Sequence, residues 1–331
     1  MINYSSAIGP FAHNDNTSTK IMYTVVMALL PACVYSFWQF GIESLYAIFT
    51  AIWTCIVVEW ACLKIMKKPP LACLDGSAVL TGLLLAMSLP VSIPLPMVVF
   101  GSAFAIVVGK QIYGGLGQNL FNPAMLARVM MIVCFPVEMT NWTEPSPISF
   151  SGNVVTIPET WFSVDGITSA TALSSERVDP IRLIDLFFGH QSGSLGETSA
   201  LLLILGGVYL IYRGIVSWMI PMMFCVGLGL PAVIAHFISP TVYLDAITQL
   251  LSGGAMLCAF FISTDLVTSP TSGKGQMLYG FCTGLLVWLI RTFGSYPEGV
   301  AFAVLIMNSA SPLIDYYLKP SIFGSNVAKG A

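Results

Sequence analysis

Charge is what this sequence has least of. Only 9% of its 331 residues are charged, whereas soluble domains carry about 25% charged residues. The 13 Lys and Arg are outnumbered by 16 Asp and Glu, and no basic stripe is present that could meet a phosphate backbone. The composition therefore excludes a water-soluble globule and argues against nucleic-acid binding.

Metal-binding and redox-cysteine patterns are missing as well. No two of the eight cysteines have CxxC spacing, and His13, His190 and His236 are far apart. We therefore predict no metal site and no iron–sulfur cluster built by this chain alone. Because no basic segment precedes a short apolar core and a small-residue cleavage site, no cleaved signal peptide is expected.

Long apolar runs are what the sequence does have, with 56% hydrophobic residues and a mean hydropathy of +0.82. A run must cross about 30 Å of hydrocarbon at about 1.5 Å per residue to span a bilayer. About ten windows meet or approach that length, which predicts an all-α polytopic membrane protein. The windows are 21–41, 44–65, 77–92, 95–112, 121–136, 198–213, 217–237, 243–263, 276–292 and 299–317.

These windows divide the chain into five parts. We expect an N-terminal segment (1–20), a first five-helix membrane unit (21–136), a polar loop (137–197), a second five-helix unit (198–317) and a tail (318–331). With the N-terminus inside, nine Lys and Arg fall in inner connections and three in outer ones, as the positive-inside rule requires. Both termini are thus predicted to be cytoplasmic and the loop, with eight of the sixteen acids, periplasmic.

The two membrane units show a weak internal repeat. The segment 76–83 resembles 254–261, and 113–124 resembles 293–304, at offsets of 178 to 180 residues. Since five spans is an odd number, the second unit would be inverted relative to the first, as in many secondary transporters. Interruptions at 89–96 and 264–270 predict broken helices, although ordinary interhelical turns would give the same pattern.

A short motif in the polar loop carries chemistry. Segment 164–173 reads VDGITSATAL; by composition alone it is a Gly, Ser and Thr turn of the kind found on many surfaces. It resembles the flavinylation motif, acid-Gly-x-Ser/Thr-Gly/Ser-Ala-Thr, in which a flavin transferase joins the phosphate of FMN to the final threonine hydroxyl. That resemblance implies attachment at Thr171, with Thr168 and Ser169 as alternative acceptors. The other motif residues are Asp165, Gly166 and Ala170.

Blocks along nearly the whole chain resemble the RnfD component of the Rnf electron-transport complex, of the NqrB/RnfD family. They are 5–14, 109–125, 135–140, 206–213, 261–272 and 290–303. The resemblance implies a membrane subunit of a complex that passes electrons between ferredoxin and NAD, coupled to Na⁺ or H⁺ movement across the bacterial inner membrane. It also implies RnfA, RnfB, RnfC, RnfE and RnfG as partners, covalent FMN, and a non-covalent riboflavin near the spans.

Two other functions stay open at this point. One is that of NqrB, the corresponding component of the sodium-pumping NADH:quinone oxidoreductase, a close relative that normally has a longer polar N-terminal extension. The other is a transporter or channel without redox chemistry, which inverted repeats and broken helices would also fit.

Ionisable residues inside the predicted spans are candidates for ion coupling, because charge within a bilayer is costly. Glu59 lies about three turns into one apolar run, and Asp245 opens another. Each also has a structural alternative: Glu59, for example, could pair with Lys64. Lys110 and Arg128 flank the Asn-Pro-Ala break at 122–124, where contact with a flavin or a neighbouring subunit is the alternative to a structural role.

Overall fold

The computed structural model describes residues 17–145, 147, 149–151, 154–156, 183–189, 192–197, 199–240, 242–294 and 298–319. These residues are almost entirely helical. The motif that resembles a flavin attachment site, including Thr171 and the alternative acceptors Thr168 and Ser169, lies outside the described residues. So do Asp165, Gly166 and Ala170.

The first part of the chain contributes α1 to α6. They are α1 (Ser18–Phe40), α2 (Ile42–Ile65), a 3₁₀ turn (Pro70–Asp75), α3 (Ser77–Met87), α4 (Leu95–Ile106) continued by a π-helix (Val107–Gln111), α5 (Pro123–Cys134) and α6 (Pro136–Met139). The polar loop adds a two-stranded antiparallel hairpin, β1 (Ser149–Ser151) with β2 (Val154–Thr156), which the sequence did not predict.

The second part contributes the remaining helices. They are α7 (Leu183–Phe188), a 3₁₀ turn (Leu195–Glu197), α8 (Ala200–Tyr212), α9 (Met219–Ile238), α10 (Ala246–Leu251), α11 (Ala255–Leu257) continued by a π-helix (Cys258–Ile262), α12 (Gly273–Phe293) and α13 (Val300–Tyr317). Each of the predicted windows contains helix from this series.

Four of these helices, α1, α2, α9 and α13, are long and apolar enough to cross a membrane. Several others are shorter, and α3, with 11 residues, extends only about 16 Å at about 1.5 Å per residue. It ends at Met87, and the chain runs without helix through 88–94 before α4 begins. Five of its seven residues are buried, so most of this irregular backbone is shielded by protein, as irregular structure at membrane depth must be.

The end of the polar loop packs against the end of α3. The Leu195 N–H donates to the Leu89 carbonyl at 3.1 Å, and the Leu195 carbonyl accepts from the Ser36 hydroxyl at 2.6 Å. A Cβ on Gly196 would lie 2.6 Å from the Met87 carbonyl oxygen. The last residues of the loop are therefore fixed inside the helical bundle.

Helix packing follows a similar plan in both parts. The helix α2 packs on α3 and α4, while α9 packs on α10 and most extensively on α12. The two parts meet where α1 contacts α8 and where α5 contacts α13. The apolar core is continuous across this junction, since one cluster of buried side chains includes Leu29, Met125, Leu203 and Val304.

Glycine allows α9 and α12 to approach each other backbone to backbone. A Cβ on Gly227 would clash with the Phe281 carbonyl oxygen, and one on Gly284 would clash with the Phe224 carbonyl oxygen. Small residues of this kind are enriched where membrane helices pack, because van der Waals contact replaces the hydrophobic driving force there.

We expect Gly227→Ala to lower the thermal stability of the purified protein by an amount equivalent to about 1–3 kcal/mol, because the new methyl group forces the two backbones apart. The matched control is Gly229→Ala on the same helix, where the nearest atom to a new Cβ is Leu250 Cδ1 at 3.6 Å. Melting curves in detergent measure both. Equal melting temperatures for the two variants would contradict the close contact.

Candidate functional site

The most unusual feature of the interior is a buried ion pair between Glu59 of α2 and Lys110 of the π-helix after α4. Lys110 Nζ lies 2.6 Å from Glu59 Oε1 and 2.9 Å from Oε2. Lys110 also donates to the Ser77 hydroxyl, and Gln111 Nε2 donates to Glu59 Oε1 at 2.9 Å. Only 2% of the lysine side chain and 4% of the glutamate side chain are exposed. Each charge is therefore stabilised by the other and not by solvent.

Local sequence explains how Lys110 reaches this position. The change from α-helix to π-helix at Val107 inserts extra backbone, a distortion often found at functional sites, and both Lys110 and Gln111 lie in it. Gly109 permits the adjoining contact, because a Cβ there would lie 2.9 Å from Pro123 Cα at the start of α5. Ser77 is the first residue of α3.

A cavity, which we call the Lys110 cavity, opens beside the pair. It contains about 730 Å³ of space not filled by protein atoms, part of it open to the outside. Its walls come from both parts of the chain: α1, α3, the first π-helix and 116–123 on one side, and 215–216 with 260–267 on the other.

The lining of the Lys110 cavity is mostly apolar, with a few convergent polar groups. The polar side chains are Ser77, Thr81, Lys110, Asn119, Asn122, Thr264 and Asp265, and two aromatic rings, Phe260 and Phe261, also line it. Asn122 joins the two parts, because its Oδ1 caps the first turn of α5 while its Nδ2 donates to the Ile262 carbonyl at 3.4 Å. The arrangement suits a planar ligand with polar edges, or a hydrated cation.

A second buried ion pair joins Arg128 of α5 to Glu298, two residues before α13. Glu298 Oε1 also accepts the N–H of Gly254 at 2.6 Å. Arg291 of α12 donates to the carbonyls of Gln249 at 2.6 Å and Ser252 at 3.1 Å. These charged side chains thus provide hydrogen-bond partners for backbone groups on both sides of the break between α10 and α11, where such groups would otherwise lack them.

The structure locates the charged residues that the sequence singled out. Glu59 is buried and pairs with Lys110, whereas Lys64 lies over the Trp60 ring at 5.1 Å. Asp245 is half-buried and caps α10, accepting the Thr248 N–H at 3.3 Å. Asp245 does not line the Lys110 cavity.

Sequence reasoning missed Ser77, Gln111 and Glu298 as members of these clusters. The sequence does contain a signal for Glu298, because it is a lone carboxylate between two apolar windows. Ser77 and Gln111 had none, because only the π-helix and the packing of α3 bring them to Glu59. Within the described ranges, no group of three or more His, Cys, Asp or Glu could hold a metal ion.

The chain is similar to known proteins over nearly its whole length. The sequence model of the NQR2, RnfD, RnfE family matches residues 5–324. A protein of Halorhodospira halophila, named as the D subunit of an ion-translocating oxidoreductase complex, is 40% identical over 336 residues, covering 96% of this chain and 94% of its own. Proteins of the same name from Escherichia fergusonii, 39% identical, and Yersinia enterocolitica, 40% identical, each cover 96% of this chain and 97% of their own. The chain therefore belongs to the NQR2, RnfD, RnfE family of subunits of membrane-bound, ion-translocating oxidoreductase complexes.

Proposed function

We propose that this chain carries FMN covalently on Thr171 and relays electrons within an Rnf-type complex. In that complex electrons pass between ferredoxin and NAD, coupled to Na⁺ or H⁺ movement. One observation carries the proposal: a chain that matches its family over 5–324 contains the motif DGITSAT at 165–171. The relatives' shared name, which makes each the D subunit of an ion-translocating oxidoreductase complex, favours this over the role of NqrB in the NADH:quinone enzyme.

Thr171 would hold the flavin as a phosphoester between its hydroxyl and the FMN phosphate. Bound in this way, FMN supplies hydride and single-electron chemistry. Asp165, Gly166, Thr168, Ser169 and Ala170 would form the sequence that the flavin transferase recognises. Because the loop holds eight of the sixteen acids, it would repel a free FMN phosphate, and the covalent bond prevents the loss of the cofactor to the periplasm.

The membrane arrangement belongs to the same proposal. We place the chain in the bacterial inner membrane with both termini cytoplasmic, ten spans in two inverted five-helix repeats, and the loop 137–197 periplasmic. The packing of α2 on α4 and of α9 on α12 supports a repeat, since these pairs correspond at the offset seen in the sequence. RnfA, RnfB, RnfC, RnfE and RnfG would be its partners.

The Lys110 cavity is the best place for the non-covalent riboflavin. Phe260 and Phe261 contribute aromatic rings to the lining. Asn119 and Thr264 offer acceptor oxygens for a polar ring edge, because their hydrogen bonds within the protein use only their donor groups. By their chemistry these side chains suit such a group.

The Glu59–Lys110 pair is the best candidate for ion coupling. Lys110 lines the cavity, so a cation entering there could compete with the lysine ammonium for the Glu59 carboxylate. Asp245 is the second candidate from the sequence, although its carboxylate is engaged as a helix cap. A transporter without redox chemistry is the competing function, which the cavity and the broken helices favour.

The two functions differ in whether the chain carries a covalent flavin. We expect protein made in a host with the flavin transferase to give a fluorescent band on a denaturing gel under ultraviolet light. The same protein made without the transferase, at equal loading, should give none. A dark band from both hosts would support the transporter.

A further inference from the structure

A second pocket lies at the start of α1 and the end of α8. It is lined by Lys20, Ile21, Thr24, Tyr212, Arg213 and Ile215 and contains about 900 Å³ of empty space, including its open mouth. We call it the Lys20–Arg213 pocket. Its described lining contains two cations and no carboxylate.

The positive charge of this pocket comes from its two basic side chains. Lys20 lies in the first turn of α1, where the helix dipole is already positive and a basic side chain is unfavourable. Among the described helix, no acidic residue in that first turn compensates for it. Arg213 caps the C-terminal end of α8, where the helix dipole is negative, so the two helix ends offset each other. A bound anion would therefore be stabilised by the side chains of Lys20 and Arg213.

Both helices that form the pocket also expose apolar side chains. On α1 the exposed side chains include Met27, 62% exposed, and Leu30; on α8 they include Leu205, 55% exposed, and Val208. The two helices pack against each other. A basic pocket at the ends of two apolar helices is complementary to a molecule with a negative head and hydrocarbon chains.

We propose that the Lys20–Arg213 pocket binds the phosphate of an anionic phospholipid, with its acyl chains along α1 and α8. Basic pockets between membrane helices on the cytoplasmic side are where anionic lipid headgroups bind, and the predicted topology places Lys20 and Arg213 on that side. Ile21 and Ile215 line both this pocket and the Lys110 cavity, so the headgroup would sit beside the cavity mouth. This proposal rests on the proposed orientation of the chain in the membrane and is independent of flavin chemistry.

The test uses the purified full chain in nanodiscs that contain phosphatidylglycerol or phosphatidylcholine, with retained lipid counted by native mass spectrometry. We expect phosphatidylglycerol to be retained in preference. Lys20→Gln or Arg213→Gln should weaken retention by about fivefold each, and the double variant by about thirtyfold, as expected for one surface cation each. Unchanged retention in the double variant would overturn the proposal.

Lys274→Gln is the matched control. Lys274 is an exposed cation in the first turn of α12, and it does not line the Lys20–Arg213 pocket. Its loss should leave retention unchanged, and an equal loss would show a general surface effect and overturn the site. Displacement of the lipid by millimolar inorganic phosphate would assign the pocket to a soluble anion instead. If the lipid is absent from the intact complex, the pocket would instead be assigned to contact with a neighbouring subunit.

Discussion

Thr171→Ala is expected to abolish covalent flavin fluorescence completely. In the proposed attachment the phosphoester forms on the threonine hydroxyl at the final position of the motif, and alanine has no oxygen to replace it. Wild type and variant should be made in the same transferase-containing host and compared on one denaturing gel at equal protein loading. The variant should still insert in the membrane, because Thr171 lies in the polar loop and in none of the apolar windows.

Thr168→Ala and Ser169→Ala are the matched controls, because each removes a neighbouring hydroxyl from the same motif. Both should keep a covalent flavin, with at most a lower yield if the transferase reads those positions. If fluorescence survives in Thr171→Ala and disappears in one of these two variants, the attachment site has been assigned to the wrong residue. If all variants and the wild type are dark, the flavin assignment itself is wrong.

Glu59→Leu should strongly destabilise the described membrane part of the chain. It would leave the Lys110 ammonium buried with only the Ser77 hydroxyl as a partner. Breaking a buried ion pair by removing one member costs about 3–5 kcal/mol. The double variant Glu59→Leu/Lys110→Met should recover most of that loss, since apolar residues of similar volume replace buried pairs well. Melting temperatures of the three proteins in detergent measure the effect.

The same double variant separates structure from ion coupling. It should fold and keep its covalent flavin, yet the complex should lose ion transport if a cation competes for Glu59. Lys64→Met is the control, since Lys64 is exposed and outside the pair. Equal melting temperatures for wild type and Glu59→Leu would contradict the buried pair. Full ion transport by the double variant would remove Glu59 from the ion path.

Hydropathy and charge predicted the helical class well because burial in lipid acts on single residues. The windows at 21–41, 44–65 and 217–237 correspond closely to α1, α2 and α9. The hydropathy signal fails where protein, and not lipid, surrounds the backbone. The window at 77–92 contains a helix that ends at Met87, and the window at 243–263 is broken between α10 and α11.

The partners of the buried charges could not be predicted in the same way. Glu59 was recognised as a costly intramembrane carboxylate, but Lys110 lies 51 residues further along the chain. Its position depends on a π-helix that no local pattern announces. Arg128 and Glu298, 170 residues apart, meet only because α5 packs against α13. The motif at 165–171 was found by its resemblance alone, and its prediction still rests on the sequence, since those residues lie outside the described ranges.

The most direct test of the central claim is the mass of the tryptic peptide 129–177, which contains the whole motif and no internal Lys or Arg. Protein made with the flavin transferase should give this peptide heavier by FMN less one water. Fragmentation should place the added mass on Thr171. An unmodified peptide from that host, or the added mass on any other residue, would contradict the assignment of this chain as a carrier of FMN at Thr171.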